Sequence, residues 1–185
     1  YSNLLLPWLC RNFAIKPTII IRNPYAVIES QLRHPGYRNI GITHHLFDLN
    51  QPKYTDVFEK YEQPISGINS QISMLANWWA IQHAEILQHP DKDKLWDIIY
   101  YEDLVRDTQK HLQEILAHHH IEKDIQQVDF THPSATALLK TMQHDDYLNK
   151  WRTGLTIAEK DCIEKILSDY NIPIYEHSQN IYGTL

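Results

Sequence analysis

The sequence predicts an α/β fold, a parallel sheet flanked by helices, and two observations carry that prediction. Two short runs rich in β-branched residues, Thr18 to Ile21 and the segment Leu95 to Tyr101, each lead directly into a helical pattern. Strands alternating with helices are most simply joined in parallel, because a helical crossover returns the chain to the same end of the sheet. The junction after the first run is also explicit: Asn23 is a favoured N-cap, and Pro24 at the first helical position gives up an N–H that would have no helical partner.

In chain order, Leu4, Leu5, Leu6, Trp8, Leu9 and Phe13 predict a buried helix entered through Pro7. Thr18 to Ile21 has the composition of a central strand covered on both faces, and the helix starting at Pro24 runs through Ser30. Residues 35–53 carry Pro, Gly and Asn with little periodicity and predict a long loop, the greater part of an insertion over residues 35–64 of the kind that often selects a substrate. Ile65, Ile68, Ile72, Leu75, Trp79 and Ile86 then keep a helical spacing to about Gln88, with Trp78 and Ile81 widening the stripe. Pro90-Asp91-Lys92-Asp93 reads as a turn before the second strand. Asp107 or Thr108 caps the next helix, with Leu112, Ile115 and Leu116 inward. Residues 127–142 are poorly patterned and are expected to wrap the surface. Thr156-Ile157-Ala158-Glu159 is a capping box that opens a last helix with Ile163, Ile166 and Leu167 on its inner face, and no element is predicted after Pro173.

At 185 residues the chain is long enough for one core and is expected to form a single domain. Its net charge of −6 argues against general attraction to nucleic acid or membrane surfaces, and no apolar run approaches membrane-spanning length. Cys10 and Cys162 are too far apart in sequence to suggest a disulfide framework or a metal spacing, so both are expected as reduced thiols, a usage that fits the cytoplasm. The twelve histidines include His44-His45 and His118-His119-His120, but neighbouring histidines on a helix point in different directions and no His-Glu-x-x-His or Cys-x-x-Cys pattern occurs. No metal is therefore predicted, and His118 to His120 are placed at an exposed helix end, where positive charge suits the dipole. Gly36 to Thr43 superficially matches the start of a phosphate loop; it lacks the lysine after its second glycine and has no strand feeding it, so it is not read as one.

In an acidic chain, an anionic ligand must be held by local charge. Arg22 is the best placed cation, delivered by a strand to the mouth of a capped helix, where free N–H groups and the helix dipole favour a phosphate and the guanidinium adds a planar, permanently charged fork. Ser30, seven residues past the N-cap, lies close to two turns further on. Arg33, Arg38, Lys150 and Arg152 are the other candidate charges.

The arrangement of Arg22, Asn23-Pro24 and then Ser30 resembles the 3'-phosphate site of sulfotransferases that use 3'-phosphoadenosine 5'-phosphosulfate. Tyr100-Tyr101-Glu102-Asp103-Leu104 followed by Asp107-Thr108 resembles the family's Tyr-Glu-Asp-Leu segment, and Lys150-Trp151-Arg152 followed by Leu155-Thr156 resembles its Lys-Trp-Arg and Leu-Thr element. The three motifs occur in family order between about Leu4 and Tyr170, and residues 35–65 fall outside the pattern. The resemblance implies a nucleotide-binding fold of the P-loop type, with Arg22 and Ser30 on the 3'-phosphate, Tyr101 against the adenine, and Lys150 and Arg152 in a flexible basic segment closing the site, with Trp151 packing beneath it or stacking on a base. Glu102 and Asp103 read as structural, holding the turn after the strand. The implied reaction moves a sulfuryl group to a hydroxyl or amine of a small-molecule or carbohydrate acceptor and requires no metal. The family's phosphate loop is expected upstream of Tyr1, so the chain is read as a C-terminal portion, by itself inactive. Its catalytic base cannot be mapped, although His44 or His45 could reach an acceptor. Two other readings stay open: another P-loop transferase such as a small-molecule kinase, and a catalytically inactive nucleotide-binding or interaction module.

Overall fold

Strand β1 (Thr18–Ile21) lies parallel to β2 (Asp97–Tyr100), with Thr18 opposite Asp97 and Ile21 opposite Tyr100. The computed structural model describes residues 2–38, 55–123 and 148–172, and among these the sheet has these two strands. A 3₁₀ turn (Ser2–Leu5) leads into α1 (Leu6–Phe13). The other helices are α2 (Pro24–Arg33), α3 (Pro35–Arg38), α4 (Thr55–Lys60), α5 (Glu62–Ser66), α6 (Gln71–Gln88) and α7 (Lys92–Leu95). After β2 come α8 (Tyr101–Arg106), α9 (Thr108–His118), α10 (Trp151–Gly154) and α11 (Ile157–Asp169). The chain is thus broadly α/β and mostly helical. Expectations for residues 39–54, 127–142 and the tail after Pro173 fall outside the described residues.

The core forms where β1, α2, α6 and α11 meet: Ile21, Ile28, Leu75, Ile81, Ile163 and Leu167 are all buried in one cluster, and α6 packs along α11. The capping box at Thr156 starts α11 as predicted, with the Thr156 N–H donating to Glu159 Oε2 at 2.7 Å and the Glu159 N–H to Thr156 Oγ1 at 3.3 Å.

Four expectations are corrected. The first helix is not buried: Cys10 is its one buried residue, while Trp8 and Phe13 are 56% and 61% exposed and meet each other edge to face at 5.8 Å. Apolar residues on nearly every side of a short helix cannot all face the small cluster of Cys10, Ile86 and Trp96 that it covers. Nor is β1 covered on both faces. Ile19 and Ile21 turn toward the core, whereas Ile20 points the other way and is half exposed, following the two-residue period of a strand. The stripe from Ile65 to Gln88 is carried by two helices, because Ser70 and Ser73 form a cap that starts α6 afresh: the Ser73 N–H donates to Ser70 Oγ at 3.1 Å and the Ser70 N–H to Ser73 Oγ at 3.0 Å. Finally, β2 begins at Asp97, since Lys92–Leu95 is a helical turn. Leu112, Ile115 and Leu116 on α9 are only half buried.

The three histidines after Ala117 do end a helix, and two of them also hold it to the sheet. His118 Nε2 lies 2.9 Å from Asp97 Oδ2, Lys16 Nζ lies 2.8 Å from the other oxygen of Asp97, and His119 Nε2 is hydrogen-bonded to Thr18 Oγ1 at 2.9 Å. These contacts tie α9 to the beginnings of both strands.

Behind the core, Tyr61 stacks on Tyr170 at 4.4 Å and donates its O–H to Glu85 Oε1 at 2.8 Å, which Lys60 Nζ also reaches at 2.7 Å. Burial, helped by the Glu85 carboxylate and opposed by Lys60, pushes the Tyr61 phenol up to about 12 from 10.0. A raised folded-state value means that the protonated phenol contributes stability in full below the unfolded value and loses that contribution as pH climbs through the folded one. The free energy of unfolding is therefore expected to fall between about pH 10 and 12, and to fall less steeply in Tyr61→Phe. Urea titrations at several pH values check this; identical slopes would show that Tyr61 titrates alike folded and unfolded.

Candidate functional site

The register builds the site. With Ile21 opposite Tyr100, Arg22 and Tyr101 leave the C-terminal edge of the sheet side by side, the edge at which open parallel sheets place ligands. The Arg22 guanidinium carbon lies 5.0 Å from the centre of the Tyr101 ring, a cation–π arrangement that keeps the fork near the sheet edge. Arg22 is half buried, and its buried Nε has no hydrogen-bond partner among the described residues.

The next residue makes the turn into α2. Buried Asn23 accepts at Oδ1 from the N–H groups of Tyr25 (2.9 Å) and Ala26 (3.3 Å), the N-cap geometry predicted from Asn23-Pro24. Its own N–H donates to Oε1 of Glu102 at 3.0 Å, and Glu102 is 3% exposed. The two strand ends are thereby tied across the sheet, and the N-cap of α2, at its positive end, is the residue after Arg22.

Ser30 lies exposed on α2, and among the described residues no hydrogen bond or ion pair joins it to Arg22. Arg33 is committed to buried Glu29 one turn earlier. The Arg38 side chain, His44 and His45 are outside the described residues.

The Lys-Trp-Arg element comes to the same helix. Trp151 is buried and stacks on Tyr25, in the first turn of α2, at 4.8 Å with 23° between the planes. Gly154 seats the other end of the turn: a Cβ there would stand 2.6 Å from Glu29 Oε1 and 2.8 Å from Glu29 Cγ. Lys160 Nζ reaches back from α11 to the Arg152 carbonyl at 2.5 Å, and the Arg152 guanidinium lies 5.6 Å from the Trp151 ring. Lys150 is half buried at the head of the turn and Arg152 is exposed. The expected flexible basic segment is thus an anchored helical turn, with Trp151 packed beneath its charges.

Sequence reasoning left Glu29 and Gly154 unremarked. The Glu29/Arg33 spacing was readable as an i,i+4 pair, but Gly154 had no local signal, because its lack of a side chain matters only against α2. Among the described residues no group of histidine, cysteine, aspartate and glutamate side chains could hold a metal ion, and no helix is long and apolar enough to cross a membrane. Comparison of the chain with models of protein families, with curated proteins and with solved structures finds no match.

Proposed function

We propose that the chain is part of a sulfotransferase of the P-loop type and that Arg22 receives the 3'-phosphate of 3'-phosphoadenosine 5'-phosphosulfate. The observation that carries this reading is the meeting of Arg22 with Tyr101 beside the capped start of α2, two residues from separate motifs brought together by the strand register. An anion at this place meets a guanidinium fork and the N-terminal end of a helix, while the Tyr101 ring offers an aromatic surface to the adenine. Lys150 and Arg152 supply further positive charge from the turn stacked on α2, and Ser30 supplies a hydroxyl on the same helix.

In the proposed reaction the bond between sulfur and the bridging oxygen of the phosphosulfate breaks as a bond from sulfur to an acceptor oxygen or nitrogen forms. The acceptor loses a proton and 3'-phosphoadenosine 5'-phosphate departs. Positioning and neutralisation of charge do most of the work in such transfers, and the named residues serve by holding the nucleotide. The acceptor, a small molecule or a carbohydrate, has no assigned site among them.

The test is the chain's preference between 3'-phosphoadenosine 5'-phosphate and adenosine 5'-phosphate, measured by calorimetry. A charge-assisted contact of about 1.5–3 kcal/mol corresponds to tighter binding of the first by roughly ten- to 150-fold. Equal affinity for the two nucleotides, or binding of neither, would remove the reading.

A further inference from the structure

Glu102 is a buried carboxylate that sits one residue past the Tyr101 ring and accepts a hydrogen bond from the backbone N–H one residue past Arg22. Its position is unusual for an acidic group beside a proposed anion site, where a nearby negative charge opposes the ligand. Burial of a carboxylate is costly unless its oxygens are engaged, so a role that needs only an acceptor must come from the bond itself. That bond joins the Arg22-Asn23 junction to the segment after β2, two chain regions 79 residues apart. It adds to the strand register a second tie between the end of β1 and the start of α8, next to the stacking of Arg22 over Tyr101 at 5.0 Å.

We infer that Glu102 is a positioning residue for the anion site, holding Arg22 and the first turn of α2 in place through the Asn23 N–H. The inference rests on the anion-site reading for its ligand-binding arm and on geometry alone for the rest. Two substitutions separate reach from charge. Glu102→Gln keeps an acceptor oxygen at the same distance and removes the charge; Glu102→Asp keeps the charge and withdraws the acceptor by one methylene. Glu102→Ala removes both.

The experiment uses the whole 185-residue chain and reads three quantities. Hydrogen exchange of the Asn23 amide reports the bond. The Arg22 Nε–H resonance, assigned by its loss in Arg22→Lys, reports the ring-current shift imposed by Tyr101. Calorimetry with 3'-phosphoadenosine 5'-phosphate reports the site. Positioning predicts that Glu102→Gln keeps a slow Asn23 amide, a shifted Arg22 resonance and an affinity equal to the parent's or tighter. Glu102→Asp and Glu102→Ala should release the amide, return the Arg22 resonance toward the ordinary arginine position and weaken binding on the order of ten- to a hundredfold, the scale of a misplaced contact group. If Glu102→Ala does not fold, the contrast between Gln and Asp decides. A folded Asp variant with Asn23 and Arg22 unchanged, or a Gln variant as impaired as Asp, would overturn the inference. If the parent binds no nucleotide, the anion-site reading fails, while the amide and resonance arms still judge the positioning role.

Discussion

Arg22→Ala is expected to cost about 1.5–3 kcal/mol of affinity for 3'-phosphoadenosine 5'-phosphate, the worth of a charge-assisted hydrogen bond. The fold should survive, because Arg22 is half buried and makes a ring contact with Tyr101 in place of a buried ion pair. The loss should be specific to the 3'-phosphate: adenosine 5'-phosphosulfate, which lacks it, should bind the variant and the parent alike. Arg22→Lys restores the charge but neither the fork nor the flat face over Tyr101, so it should fall between the two. Calorimetry with both nucleotides checks this, with the thermal midpoint as the folding control. An equal loss for both ligands would mean that Arg22 reads another part of the nucleotide.

Trp151→Ala is expected to destabilise the fold by about 3–5 kcal/mol, the cost of deleting a large buried aromatic side chain and leaving a cavity. Trp151 is 8% exposed and its ring stacks on Tyr25, so its removal empties the space between α10 and α2 and strands the Tyr25 face. That is a large part of the roughly 5–15 kcal/mol by which a domain is stable. Trp151→Phe keeps an aromatic face for Tyr25 and should lose much less. Urea unfolding should show a lower midpoint with an unchanged slope. A loss no greater than that of a surface substitution, about 0.5 kcal/mol, would show that the stacking carries no weight.

What could be read from the sequence is what neighbouring residues decide among themselves. Asn23 and Pro24 start α2, Thr156 and Glu159 start α11, and the β-branched run Thr18 to Ile21 marks where β1 lies, although not the partner, Asp97–Tyr100, that makes it a strand. Even local rules compete: the cap between Ser70 and Ser73 interrupts an apolar stripe that by itself predicts one continuous helix. Arg22 and Tyr101 were each identifiable as candidates, but their contact depends on the register that sets Ile21 against Tyr100. The bond from Asn23 to Glu102 and the close approach of Gly154 to Glu29 are invisible for the same reason. Exposure is also a property of the assembled fold. Trp8 and Phe13 looked like core residues because their composition is right, yet the surface they could bury against is too small.

The bond from Lys160 to the Arg152 carbonyl bears on how quickly a ligand could come and go. It fastens the basic turn to α11, which in turn packs along α6, while Trp151 fastens the same turn to α2. Swinging the turn outward would break both attachments at once, an excursion closer in cost to partial unfolding than to the opening of a hinged lid. On the proposed reading Lys150 and Arg152 would form a fixed wall of the nucleotide site, and release of a bound nucleotide would not wait for this turn to swing open.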